Sequence, residues 1–136
     1  MILEAVFCLT INDFLEARGE PFIGQIAVNQ VAMRRANLDR TKVCAEVYRP
    51  DQFTGPWRMP RVKPKWAKPA EWVRAERAAR AALVWAEHGV GQDYSRGADH
   101  YHATHVRPAW TRCAKQTVQI ARHLFYTDVK PCRRNP

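Results

Sequence analysis

Phe14-Leu15-Glu16-Ala17-Arg18-Gly19-Glu20-Pro21, followed by Gly24 and Gln25, sets two carboxylates around a helix break. Upstream, Ile2, Val6, Leu9 and Asp13 recur at helical spacing on one stripe, with Leu3, Phe7, Thr10 and Phe14 on its neighbour. Continuing the first stripe by one turn brings Glu16 to the core-facing side of the last turn. Partial burial there disfavours the charged carboxylate, so its pKa is expected to rise. A general acid working near neutral pH needs that shift. Gly19 supplies a helix stop, and Pro21 suits the first position of a second helix. Glu20 is not read as the other half of a glycosidase pair, because Gly19 breaks the helix between the two glutamates. It is read as structural, an anion near the N-terminus of the second helix, where the dipole favours it. The plainer alternative is a helical corner with two solvated glutamates.

A second chemical candidate is His100-Tyr101-His102-Ala103-Thr104-His105. Imidazoles at alternate strand positions can share one side and bind zinc, but beyond His123 no further ligand set accompanies them. The third candidate is the proline-rich stretch 50–69, in which Trp57 and Trp66 alternate with Arg58, Arg61, Lys63, Lys65 and Lys68. Its prolines exclude a continuous helix or a central strand. Aromatic and basic groups so mixed could hold a polysaccharide or a single-stranded nucleic acid, or the tryptophans could simply pack back on the body.

These groups need positioning elements. A second helix is expected from about Pro21 to Ala36, with Ile23, Ile26, Ala27 and Val31 inward and Arg34 and Arg35 near its end. Gly24 costs this helix about 1 kcal/mol relative to Ala, and is expected where the first two helices approach closely beside Glu16. A polar connection, Asn37 to Lys42, leads to a short apolar segment, Val43 to Tyr48. A third helix from about Ala70 to His88, ended by Gly89, presents Trp72, Ala75, Ala79, Ala82, Leu83 and Ala86 on one face, and its alanines suggest the central helix. After a short hairpin ended by Pro108 and Trp110, Thr111 to His123 reads as a last helix, with Ala114, Val118 and Ala121 inward. Phe125 and Tyr126 close the core.

With 136 residues the chain suits one domain, 1–136, able to bury a core without obligatory metals or disulfides. Its 22 Lys and Arg against 13 Asp and Glu give a net charge of +9, which favours polyanionic surroundings. The apolar run Met1 to Leu9 is interrupted by Glu4 and is too short to span a bilayer, so it is read as the first core helix, not a signal peptide. Cys8, Cys44, Cys113 and Cys132 show no metal-binding spacing. Three disulfide pairings are open, and buried free thiols are the simpler expectation, with Cys8 and Cys113 in the core and Cys132 exposed.

Glu16-Ala17-Arg18-Gly19-Glu20-Pro21 with Gly24-Gln25-Ile26-Ala27-Val28 resembles the signature of the SleB-type cell wall hydrolases, a family that includes spore-cortex-lytic enzymes and related phage endolysins. Four further blocks agree in order: Lys42 to Val47, Asp51-Gln52-Phe53-Thr54, Gly97 to His102, and Val106-Arg107-Pro108-Ala109-Trp110. His123-Leu124-Phe125-Tyr126 completes the set.

The resemblance implies an α+β, mainly helical, lysozyme-like single domain, with a small β-hairpin facing the catalytic helix end across a glycan-binding cleft. The implied reaction cleaves peptidoglycan between N-acetylmuramic acid and N-acetylglucosamine, with Glu16 protonating the glycosidic oxygen. Glu16 is the catalytic candidate. Gln52, Phe53, Trp57, Asp99, His100, Tyr101 and His102 are the substrate-binding candidates. No metal and no cofactor are expected.

A single-acid site favours the lytic transglycosylase route, in which the muramic acid 6-hydroxyl attacks and leaves a 1,6-anhydro product. Asp99 stands where the family more often has threonine, and could instead support hydrolysis as a muramidase. Two other departures are Gly55-Pro56-Trp57, where the family often has tryptophan directly after the Gln-Phe-Thr block, and Leu15, where many members carry histidine. Leu15 is expected beside the site and not within it.

The rival classes are a zinc amidase using His100, His102 or His105, a nucleic-acid-binding module, and a non-catalytic wall-binding domain. The preferred reading expects peptidoglycan as partner, a monomer, no nucleic acid and no membrane insertion. It places synthesis in the cytoplasm and action on the cell wall, in the periplasm or envelope.

Overall fold

The computed structural model describes residues 2–50, 56 and 59–132. Helix α1 spans Ile2–Ala17, α2 Phe22–Arg35, α3 Val43–Val47 and α4 Pro69–His88. Strands β1 (His100–Ala103), β2 (Lys115–Ile120) and β3 (His123–Thr127) follow, with a 3₁₀ turn at Ala109–Cys113 between β1 and β2. No described helix is long and apolar enough to cross a membrane.

The buried centre is α1, not α4. From Ala5 to Phe14 every residue of α1 is buried except Phe7, which is half-buried. Helix α4 keeps Val73 and Val84 exposed and turns Trp72, Ala75, Ala79, Ala82 and Leu83 inward, as its spacing predicts. Its Gly89 adopts φ 64°, the left-handed C-cap the sequence calls for. The small residues of α4 let it lie close against both α1 and α2. Tight burial of α1 is possible because its polar residues are partnered: the Thr10 hydroxyl donates to the Val6 carbonyl at 2.6 Å, Asn12 Nδ2 to Asn29 Oδ1 at 3.2 Å, and Asn29 Nδ2 to Asp13 Oδ2 at 2.6 Å.

Asp13 is fully buried, and desolvation pushes its carboxyl well above the usual value of 3.8, against the opposing pull of the Asn29 bond and the Arg74 charge. The native state therefore favours the protonated form. That contribution to stability is fully present below the unfolded pKa and is lost as pH rises through the raised native pKa. Thermal unfolding of the wild type and Asp13→Asn over a pH series should show the wild type losing stability relative to the variant as pH rises from the acid side. A pH-independent difference would contradict this.

The sheet is larger than a hairpin. Its three antiparallel strands lie in the order β1-β3-β2, with His100 opposite Tyr126, His102 opposite Leu124 and Ile120 opposite His123. The stretch expected as a last helix, Thr111 to His123, is instead the end of a 3₁₀ turn, strand β2 and a tight turn with Ala121 at φ 47°. Thr117, Val118 and Ile120 are β-branched and suit a half-buried strand. An irregularity between Gln116 and Val118 breaks the two-residue alternation and lets Thr117 Oγ1 donate to the Ser95 carbonyl at 2.7 Å. Phe125 and Tyr126 close the core as expected, at 0% and 8% exposure.

All four cysteines are bridged, Cys8 to Cys44 and Cys113 to Cys132, contrary to the expectation of free thiols. Cys8 is buried as expected and Cys132 exposed, whereas Cys113 is half-buried in the 3₁₀ turn. The first bridge fastens α3 to the central helix; the second ties the C-terminal segment to the 3₁₀ turn before β2.

Candidate active site

Glu16 sits on the last turn of α1, half-buried, and lines a cleft of ≈ 350 Å³ together with Leu15. The opposite wall is β1, which contributes His100, Tyr101 and His102. His105 and Trp110 extend that wall, and Val31, Arg35 and His123 form the remainder with Ala103 and Val106. Leu15 thus lies in the cleft and not beside it. Glu16 is the one carboxylate on this lining among the described residues.

The two ends of the sheet's aromatic content serve different faces. On one, His102 stacks on Tyr126 at 5.3 Å, with Trp110 edge-on to both rings. His102 Nδ1 pairs with the Ala103 carbonyl at 2.7 Å and Nε2 with the Tyr126 hydroxyl at 3.0 Å. His100 Nδ1 pairs with Asp99 Oδ1 at 2.9 Å. Asp99 does not line the cleft; its carboxylate reaches it only through His100. On the other face, Tyr101 packs against His123 and Phe125. Its hydroxyl is buried, and burial, followed by the Glu16 carboxylate, pushes the phenol well above its ordinary value of 10.0. Tyr101 is therefore a neutral phenol close to Glu16. Among the described residues no group of three His, Cys, Asp or Glu side chains is arranged to hold a metal ion.

The two arginines at the end of α2 do more than meet the helix dipole. Arg34 reaches Asp93 at 2.6 Å, Ser95 Oγ at 3.1 Å and the Ala98 carbonyl at 2.8 Å. Arg35 spans from Glu46 on α3 to the Asp99 carbonyl, each at 3.2 Å. Gln30 adds a clamp, donating to the Gln92 carbonyl and accepting from the Tyr94 N–H. Together these hold the connector that delivers β1 to the cleft. Arg35 and His123 also line the site, and sequence reasoning gave neither a functional role. Gln52, Phe53 and Trp57 lie outside the described residues. Trp66 packs on Phe14 at 5.4 Å with the Arg18 guanidinium over its ring, while staying 56% exposed.

The profile of the family described as Cell Wall Hydrolase matches residues 19–126. The chain belongs to the cell wall hydrolase family. The catalytic domain of the Bacillus cereus SleB protein shares its fold, with a TM-score of 0.71 at 22% identity over 92% of this chain and 91% of that one. No curated protein matches the sequence. Family membership makes peptidoglycan the substrate class.

The matched region begins three residues after Glu16, at the corner that positions it. In this cell wall hydrolase each residue of that corner has a physical task. Gln25 Nε2 donates to the Ala17 and Arg18 carbonyls at 3.1 and 3.3 Å, satisfying helix-end acceptors next to Glu16. Gly24 gives room to strand β2 and not to α1, since a Cβ there would stand 3.3 Å from Ile120 Cγ2. Pro21 is the N-cap of α2, one position earlier than expected. Glu20 is structural, as expected, but through the sheet: its carboxylate accepts from the Arg122 N–H at 2.8 Å and meets His123 Nδ1 at 3.0 Å. Gln25→Ala should cost about 1–2 kcal/mol in denaturant unfolding by leaving buried acceptors unpaired. An unchanged midpoint would show that the Gln25 bonds do not hold the end of α1.

Proposed function

We propose that the protein cleaves the glycan strand between N-acetylmuramic acid and N-acetylglucosamine as a lytic transglycosylase, with Glu16 as general acid and then general base. The observation that carries this reading is a lone carboxylate, among the described residues, at a helix end facing β1 across a cleft. Glu16 first gives its proton to the glycosidic oxygen as the bond to C1 breaks and the muramic acid ring takes on oxocarbenium character. The resulting carboxylate then takes the proton of the same sugar's 6-hydroxyl, whose oxygen bonds to C1. An internal nucleophile is already in place, so no second carboxylate is required to hold water. Tyr101 stays protonated, because burial and the neighbouring Glu16 carboxylate both disfavour its ionised form. His100 supplies a polar edge, and Trp110, packed against His102 and Tyr126, an apolar surface, to the sugar wall.

Both disulfides suit an oxidising compartment, which supports action outside the cytoplasm on the wall itself. The net charge of +9 favours retention on an anionic envelope. Mass spectrometry of fragments released from purified peptidoglycan tests the reaction. Anhydro-muropeptides are expected, unaffected by chelator. Reducing-end fragments would assign hydrolysis, with Asp99 and its His100 partner as the next groups to alter. Chelator-sensitive release of peptides would assign an amidase.

A further inference from the structure

The proposed mechanism leaves one buried titratable pair unused, Glu20 and His123, at 6% and 5% exposure. His123 opens β3 and lines the same cleft as Glu16, although the two are brought there by opposite ends of the chain. Its Nδ1 lies 3.0 Å from Glu20 Oε1. That oxygen also accepts the Arg122 backbone N–H at 2.8 Å, and Arg122 Nε approaches Oε2 at 3.4 Å. An ionised carboxylate can only accept, so Nδ1 must carry the hydrogen, and the neutral ring then has its lone pair on Nε2. The bond to Glu20 is made through Nδ1, which leaves Nε2 as the ring's acceptor on the cleft lining. Tyr101 meets the ring edge-to-face at 5.4 Å and fixes its plane.

We propose that His123 is a substrate-binding residue of the cleft, locked by Glu20 into the tautomer whose Nε2 accepts a hydrogen bond from a hydroxyl or amide N–H of the sugar beside the scissile bond. This rests on the reading that the glycan occupies the cleft at Glu16. The ligand chemistry is that of a donor-bearing sugar, and protonated His123 cannot accept from it. The titratable and charged groups facing His123 are Glu20 before α2, Arg122 in the hairpin turn, Tyr101 and His102 on β1, and Glu16 across the cleft. Burial lowers the His123 pKa from 6.5, the Glu20 charge and hydrogen bond oppose this, and Arg122 and His102 reinforce it. The ring is therefore neutral at pH 7, and its loss of function belongs on the acid side. Glu16, needed as an acid, governs the alkaline side, so the two limbs are separable.

The test is a pH profile of fragment release at subsaturating peptidoglycan for the wild type, His123→Asn, Glu20→Gln and Glu16→Gln, with a melting curve of each. Asparagine can still donate to Glu20 in place of Nδ1 but has nothing at the position of Nε2. His123→Asn is expected to release fragments about 10- to 100-fold more slowly at pH 7 and to lose the acid limb below pH 6.5. In Glu20→Gln the charge that raises His123 is gone, so the acid limb should move to lower pH. If His123→Asn does not fold, the Glu20→Gln shift decides alone. A folded His123→Asn with wild-type rate and limb, or a limb unmoved in Glu20→Gln, overturns the proposal and leaves the pair as a strut. Undiminished release by Glu16→Gln overturns instead the placement of the glycan, whatever the other profiles show.

Discussion

Glu16→Gln is expected to slow fragment release from peptidoglycan by about 10²–10⁴-fold, the usual worth of a positioned proton donor. Glutamine keeps the size and hydrogen-bonding reach of the side chain but has no proton to give the leaving oxygen and no charge to take one from the 6-hydroxyl. Glu16 is half-buried at a helix end whose carbonyls are satisfied by Gln25 and the Glu20 N–H, so that helix end does not need the Glu16 side chain to close it. The melting temperature should therefore change little. A rate loss accompanied by a large drop in melting temperature would point to damage of the corner and not to lost chemistry. The check is initial rates paired with thermal unfolding on the same preparations.

The largest effect on stability is expected from the Cys8–Cys44 bridge. It closes a sequence separation of 36 between the most buried helix and α3. For a loop of that size the chain-entropy relation gives about 4 kcal/mol of stabilisation through the unfolded state. Both sulfurs sit where solvent barely reaches, Cys8 at 1% and Cys44 at 8% exposure, so Cys8→Ala with Cys44→Ala also leaves a poorly filled space between α1 and α3. Denaturant unfolding of the double variant should show a loss of about 4 kcal/mol, and of more if the space does not collapse. A loss under about 1 kcal/mol would mean that the reduced chain already holds α3 against α1.

What the sequence revealed follows the range of the physics involved. The corner at Gly19 and Pro21, the end of α4 at Gly89 and the inward face of α4 are set by local backbone preference and period, and each is legible residue by residue. The β2 strand was not, because Ala114, Val118 and Ala121 fall at spacings that also suit a helix. What decides the matter is remote: pairing with β3 and the Thr117 bond to Ser95. Gly24 announced a close approach, but its partner, Ile120, lies at the far end of the chain. The cysteine spacings carried no pairing information. Glu16, His100, Tyr101 and His102 were found because their types and order suggest chemistry, and the structure brings them to one cleft. Arg35 looked like a dipole partner and His123 like the end of a helix. Only the tertiary arrangement shows that both face the cleft and that each is held there by a carboxylate, Glu46 or Glu20.

The position of the scissile bond is open to diffraction from crystals of Glu16→Gln soaked with a peptidoglycan oligosaccharide. The glycosidic oxygen is expected about 2.6–3.2 Å from the side-chain terminus at position 16, with the sugars flanked by β1 and Trp110. An oligosaccharide bound elsewhere, with position 16 out of hydrogen-bonding reach of every glycosidic oxygen, would contradict that placement.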